Sequence, residues 1–244
     1  MTRLQGKTIV LFGGAGGIGS ATSLRLASEG ANVVVGSLHR ENADAVAAEI
    51  TDRGGAALSV GVDIADDESI GSAVDEAIAA FGGIDGAHIN AADMAMDVIG
   101  NDSDAANIDL DVFDRSVRTN LRGHLACTKR IIPALLERGG GAIVYTSSAA
   151  AFVGEPERPA YAITKAGLGP LVWHVASKWG RTASAPTRSR PARRSRRLSR
   201  PGCRPGTRRR CSQPCAAPGW DDPPTSPPWW RSCSRPRASG STAR

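Results

Sequence analysis

The chain has 244 residues, 41% hydrophobic and 22% charged, an ordinary globular balance that allows one α/β domain with a sizeable core. No apolar run reaches the ~18 residues of a membrane span, and residues 1–6 lack the basic-then-apolar form of a secretory signal, so a cytoplasmic location away from membranes is expected. The formal charge of +6 hides a break: residues 1–180 carry 14 Lys and Arg against 22 Asp and Glu, whereas 181–244 carry 16 Arg, no Lys and 2 acids.

Within 1–180, short β-branched runs alternate with longer amphipathic stretches. Strands are expected at 7–12, 31–36, 56–62, 84–89 and 142–147, with helices at 18–29, 40–53, 67–81 and 111–137. The strand runs are apolar throughout rather than alternating, as when helices cover both faces of a sheet. Such alternation implies right-handed βαβ units and a doubly wound parallel sheet, so the fold class is α/β and Rossmann-like. The polar stretch 93–109 reads as a surface loop near the strand ends.

The first strand runs into Phe12-Gly13-Gly14-Ala15-Gly16-Gly17-Ile18-Gly19, which opens a helix. Glycines allow a tight turn and a close approach to a pyrophosphate, and the helix start offers free N–H groups to an anion. The bland alternative is a tight turn without a ligand. The spacing Gly13-x-x-x-Gly17-x-Gly19 resembles the T-G-x-x-x-G-x-G motif of the short-chain dehydrogenase/reductase family, with Phe12 in place of the Thr. The resemblance covers 4–180 and implies one dinucleotide-binding and catalytic domain there.

It also implies a cofactor, NAD or NADP, cradled by Gly13, Gly17, Ile18 and Gly19. The residue that would read the adenosine ribose is Ser37, with His39 and Arg40 close by. A carboxylate there suits NAD and a basic neighbour suits the phosphate of NADP, so this set favours NADP(H) over NAD(H). Alternatively, His39 and Arg40 are a solvated helix start. Asp63 and Ile64 match the family's adenine contacts, although Asp63 also suits a helix N-cap. Asn90-Ala91-Ala92 resembles the family's N-N-A-G in part.

Tyr161 and Lys165 lie at i and i+4, on one helix face. Ser148 stands thirteen residues before Tyr161, and Asn120 lies in Arg118-Thr119-Asn120-Leu121. In family order these resemble the catalytic Tyr, Lys, Ser and Asn. The chemistry explains the residue types. Tyr161 would protonate the alkoxide left by hydride transfer, with Lys165 lowering its pKa from ~10. Lys165 would also bind the nicotinamide ribose, Ser148 would donate to the substrate oxygen, and Asn120 would hold a water for proton resupply. Structural alternatives are a turn cap for Ser148, a helix kink for Asn120 and a core role for Tyr161. Pro170 should kink the helix that carries the pair. A Ser-His-Asp hydrolase is the weaker reading, because Ser148 lacks a G-x-S-x-G elbow. His88, His124 and His174 show no metal spacing, and no metal is expected. The resemblance further implies a small alcohol or ketone substrate and a homodimer or homotetramer.

Residues 181–244 hold 11 of the 15 Pro and 4 of the 5 Cys, and no Ile, Val, Met, Phe or Tyr. Such a composition cannot offset its chain entropy, so a disordered basic tail is expected. Taking the last base of each codon with the first two of the next, 182–192 permits D-G-I-R-A-N-A-V-A-P-G, which resembles the family's sixth-strand segment. The tail therefore reads as out-of-frame sequence. Rival readings are a basic arm that holds nucleic acid non-specifically, leaving a catalytically impaired dinucleotide-binding protein, and a zinc module, which has neither a C-x-x-C pair nor a His in the tail.

Overall fold

Short apolar runs, β-branched in β1 and β2, form the strands, and the intervening amphipathic segments form the layers that cover them. The computed structural model describes residues 2–180, so every reading of the tail lies outside the described residues. The elements run β1 (Thr8–Phe12), α1 (Gly17–Ser28), β2 (Asn32–Ser37), α2 (Arg40–Asp52), β3 (Ala56–Gly61), α3 (Asp67–Phe81), β4 (Gly86–Ile89), α4 (Met96–Ile99), α5 (Leu110–Val117), α6 (His124–Glu137), β5 (Ala142–Tyr145) and α7 (Pro159–Trp179). All strand pairings are parallel, in the order β3-β2-β1-β4-β5. This is the expected doubly wound sheet, Rossmann-like.

Alternate strand residues serve opposite layers. Val10, Phe12 and Val34 pack in one core with Ile70 and Val74 of α3 and Ile131 and Leu135 of α6. Leu11, Val33 and Val35 pack in the other with Ala43 and Ile50 of α2 and Leu24 of α1. The order reverses at β1, where the chain crosses from the β2 side to the β4 side. In open α/β sheets ligands bind at the carboxyl end of such a switch point.

Three expectations change in detail. The helix expected over 111–137 is α5 and α6 joined by a π-helical turn, Arg118–Gly123. Asn120 commits its side-chain oxygen to the N–H of Asp93, and a Cβ on Gly123 would press on the Ile64 carbonyl oxygen at 2.7 Å. Both hold the widened turn against the sheet. The loop 93–109 contains the short helix α4. Helix α7 runs on through Pro170, as α6 does through Pro133.

Among the described residues, β5 is an edge strand. A groove of about 290 Å³ beside it is lined by Ile132, Leu135, Val172, Val175 and Trp179. A second, of about 600 Å³, lies over Ile9, Ala87 and Val144. No described helix is long and apolar enough to cross a membrane.

Gly13 is the backbone position on which the switch point turns. Its φ is +83°, and an added Cβ would come within 2.7 Å of the Ala91 backbone. A side chain would thus push apart the loops after β1 and β4. Gly13→Ala should destabilise the protein by about 2–3 kcal/mol, from the left-handed backbone and the clash together. Urea unfolding monitored by circular dichroism checks this.

Candidate active site

The carboxyl ends of the five strands set the predicted residues side by side. Register pairs Phe12 with Gly36 and with Ile89, and Ile89 with Tyr145. The loop after each strand therefore follows its neighbour along one edge: Asp63 after β3, Ser37 at the end of β2, Gly13 after β1, Asn90 after β4 and Ser148 after β5.

At the glycine turn, Gly13 and Gly14 both donate to the Gly36 carbonyl, at 2.9 and 2.8 Å. Phe12 occupies the position of the family's Thr and is wholly buried. The turn is held by other side chains: Ser23 Oγ donates to the Gly14 carbonyl at 3.0 Å, and Asn90 Nδ2 donates to the Gly13 carbonyl at 3.0 Å. Helix α1 starts at Gly16 without a side-chain cap and has no acid in its first turn. Its first amides are thus open to an anion. Added Cβ atoms on Gly16 and Gly17 would meet nothing within 4 Å, and Ile18 is 62% exposed beside them. Gly19 is packed directly on Gly13. This cradle fits the pyrophosphate of a dinucleotide.

The flanking residues are placed as follows. Ala91 N donates to the Phe12 carbonyl at 2.8 Å, so its small side chain lies against Gly13. His39 and Arg40 are exposed at the start of α2. Arg40 Nε lies 3.9 Å from Asp44, and His39 Nδ1 lies 3.9 Å from Glu41. Asp63 is not the cap of α3: that role falls to Asp66, which accepts from Glu68 N at 3.0 Å. Asp63 instead accepts from Ala65 N at 2.8 Å in a local turn. Ile64 is buried in the core.

Tyr161 and Lys165 occupy the first turns of α7. Lys165 is only 2% exposed, and its Nζ donates to the Thr146 carbonyl at 2.9 Å. The same Nζ lies 5.8 Å from the centroid of the Tyr161 ring. Burial pulls the Lys165 pKa down to about 8, so at neutral pH it is still mostly an ammonium. Ser148 caps the short turn Ala149–Ala151, its Oγ accepting from Ala150 N at 3.3 Å. That acceptor role leaves its O–H free to donate. Asn120 is buried in the π-helical turn, a distortion that frees main-chain groups and recurs at functional sites.

Three residues to which the sequence reading gave no part in the site complete the arrangement. Thr146 Oγ1 donates to Asn90 Oδ1 at 2.8 Å while its carbonyl takes Lys165, so one residue ties the glycine turn to the lysine. The Asp102 carboxylate accepts from Ala160 N and Tyr161 N at the start of α7. His124 is fully buried on α6 with neither ring nitrogen hydrogen-bonded. Burial, reinforced by the charge of Lys165, pulls its pKa down to about 4. No cluster of metal-ligating groups occurs among the described residues.

The model of the short chain dehydrogenase family matches residues 7–183. The chain belongs to this family. It is 38% identical over 182 residues to 2,5-dichloro-2,5-cyclohexadiene-1,4-diol dehydrogenase of Sphingobium indicum, a match covering 74% of this chain and 70% of that one. To D-threitol dehydrogenase of Mycolicibacterium smegmatis it is 34% identical, covering 73% of this chain and 66% of the relative. Among solved structures, NAD+-bound xylitol dehydrogenase superposes with a TM-score of 0.69 at 28% identity, covering 74% of this chain and 67% of that one. Membership places the protein among the oxidoreductases.

The depressed lysine has a measurable consequence. In the unfolded chain Lys165 keeps its proton up to about 10.5, but in the fold only up to about 8. Between these values the unfolded chain binds more protons, so the contribution of this group to stability rises with pH. The melting temperature of the protein minus that of Lys165→Met should therefore increase from pH 8 to pH 10. A flat difference would contradict a buried ammonium.

Proposed function

We propose that the protein interconverts a small alcohol and a ketone by hydride transfer, with Tyr161 as the proton-transfer group. The observation that carries this reading is the buried Lys165 ammonium, 5.8 Å from the Tyr161 ring and hydrogen-bonded to the strand end that leads to Ser148. A nicotinamide dinucleotide bound along the carboxyl edge would supply or accept the hydride. Gly13, Gly17, Ile18 and Gly19 hold its pyrophosphate, with Asn90 and Ala91 beside them. Asp63 and Ile64 border the adenine end. No carboxylate stands at Ser37, and His39 and Arg40 are exposed beside it, only loosely paired with Glu41 and Asp44, which favours NADP(H) over NAD(H).

Tyr161 gives its proton to the developing alkoxide, and the Lys165 charge stabilises the tyrosinate that remains. Ser148 donates to the substrate oxygen, as its free O–H allows. Asn120 holds a water that returns a proton through Lys165. The protein acts in the cytoplasm as a homo-oligomer. Exposed Leu125 on α6 and Ile163 and Trp173 on α7 offer apolar surface to a second copy.

Tyr161→Phe should cut turnover roughly 10²–10⁴-fold while leaving dinucleotide affinity within about twofold, since the phenol oxygen is one contact among many. The assay uses the alcohol types named for the relatives, cyclic diols, threitol and 7α-hydroxysteroids. Titration calorimetry with NADP and NAD supplies the affinities. Substantial activity in the variant sinks the assignment. Binding without turnover, together with salt-dependent affinity for random DNA lost on truncation after Gly180, favours the impaired binding protein with a basic arm.

The frame reading of the tail gains support from β5, which is an edge among the described residues, and from the apolar groove beside it, which suit a further strand. Restoring the frame at codons 180–182 should raise both the melting temperature and turnover. A clean resequencing of that DNA, with a cooperative melt of the chain as written, overturns it.

A further inference from the structure

Every α-helix begins with N–H groups that have no partner inside the helix. In most helices a Ser, Thr, Asp or Asn just ahead of the first turn satisfies them. Helix α7 has no such residue. Arg158 stands at its N-cap position, makes no side-chain capping bond and is held at φ 64°, ψ 47°, the one described residue other than glycine with positive φ. Pro159 follows and has no N–H.

The remaining donors turn to one distant loop, mainly to Asp102, with Arg158 N also reaching the Ser103 carbonyl at 3.2 Å. Asp102 Oδ1 accepts from Ala160 N at 3.1 Å, and Oδ2 accepts from Tyr161 N at 2.8 Å. The main-chain carbonyl of Asp102 accepts from Arg158 N at 3.0 Å. Asp102 is 58 residues from Ala160 in sequence and only 3% exposed. A carboxylate is required chemically, because two N–H groups need two acceptor oxygens. An amide would offer one oxygen and turn an NH2 on the other donor.

We propose that Asp102 is a positioning residue for the Tyr161–Lys165 pair: it fixes the first turn of α7 from the loop after β4 and sets the field in which Tyr161 releases its proton. The proposal rests on the reading of Tyr161 as the proton-transfer group. One carboxylate oxygen grips the backbone of Tyr161 itself, so any tilt of the helix start moves the phenol directly. The bonds are charge-assisted and shielded from water, which makes the grip stiff. The negative charge also offsets the positive end of the α7 dipole. Lys165 stands on the same helix, its Nζ 5.8 Å from the Tyr161 ring, and Arg158, just ahead of the helix, is paired with Glu155. His124 on α6, within range of the Lys165 charge, is neutral.

The chain holds two tyrosines, Tyr145 and Tyr161. Full-length protein carrying ¹³Cζ-tyrosine therefore gives two carbon signals, assigned with Tyr145→Phe. In Asp102→Asn the Tyr161 titration midpoint should fall by roughly half to one pH unit, since a negative charge leaves while the helix dipole stays. The Tyr145 midpoint should not move. Where turnover is measurable, kcat should fall roughly tenfold or more, with KM near its original value. An unchanged Tyr161 midpoint in a folded variant overturns the proposal.

If Asp102→Asn does not fold, amide hydrogen exchange of the unaltered protein decides. Protection of the Ala160 and Tyr161 amides, first-turn groups that otherwise exchange freely, supports the grip; exchange at free-chain rates overturns it. These measurements read the Tyr161 proton and amide rather than turnover. A protein without oxidoreductase activity but with the shifted midpoint would keep the Asp102 proposal and reject only the catalytic reading.

Discussion

A buried ammonium sets the terms for the rest of the site. Removing Lys165 from water costs several kcal/mol unless polar partners replace the solvent. Here the partner is the Thr146 carbonyl, at 2.9 Å. That fixes the end of β5 relative to α7, and the consequences spread along the sheet edge. Thr146 has a single hydroxyl proton and gives it to Asn90 Oδ1. His88 Nε2, 2.8 Å from Thr146 Oγ1, must then be the donor in that contact. Asn90 in turn gives its amide to the Gly13 carbonyl. One chain of hydrogen bonds therefore runs from the lysine across the ends of β5 and β4 to the glycine turn after β1.

The same chain explains why Phe12 is tolerated. A hydroxyl at that position would steady the turn from within β1, but Ser23 and Asn90 already grip the Gly14 and Gly13 carbonyls from α1 and β4. Phe12 is instead spent on the core between the sheet and helices α3 and α6. The turn thus borrows its rigidity from neighbouring strands rather than from its own first residue.

What was legible in the sequence was local. The five strands, the glycine turn and the Tyr161–Lys165 spacing are patterns of period or short offset, and periodicity marks them directly. The π-helical turn was hidden because a widened turn adds a residue without changing composition. Asp102 was hidden because its partners lie 58 and 59 residues away, so it reads as one acid among several in a polar loop. Thr146 was hidden because its carbonyl, not its side chain, receives Lys165. Asp63 reads as a helix cap from sequence, but the cap of α3 is Asp66, three residues on, a difference that only geometry separates.

His124 shows how the charge state of the site is kept single over a broad range. It stands fully buried near Lys165, with no hydrogen-bond partner for either nitrogen. Protonating it would place a second positive charge in dry surroundings beside the first, which is why its pKa falls to about 4. Lys165, pulled down by burial alone, keeps its proton to about 8. Between these limits the ammonium is charged and the imidazole neutral. Near neutral pH the positive charge beside the Tyr161 ring is therefore mostly present, and it is lost progressively as the pH rises through about 8.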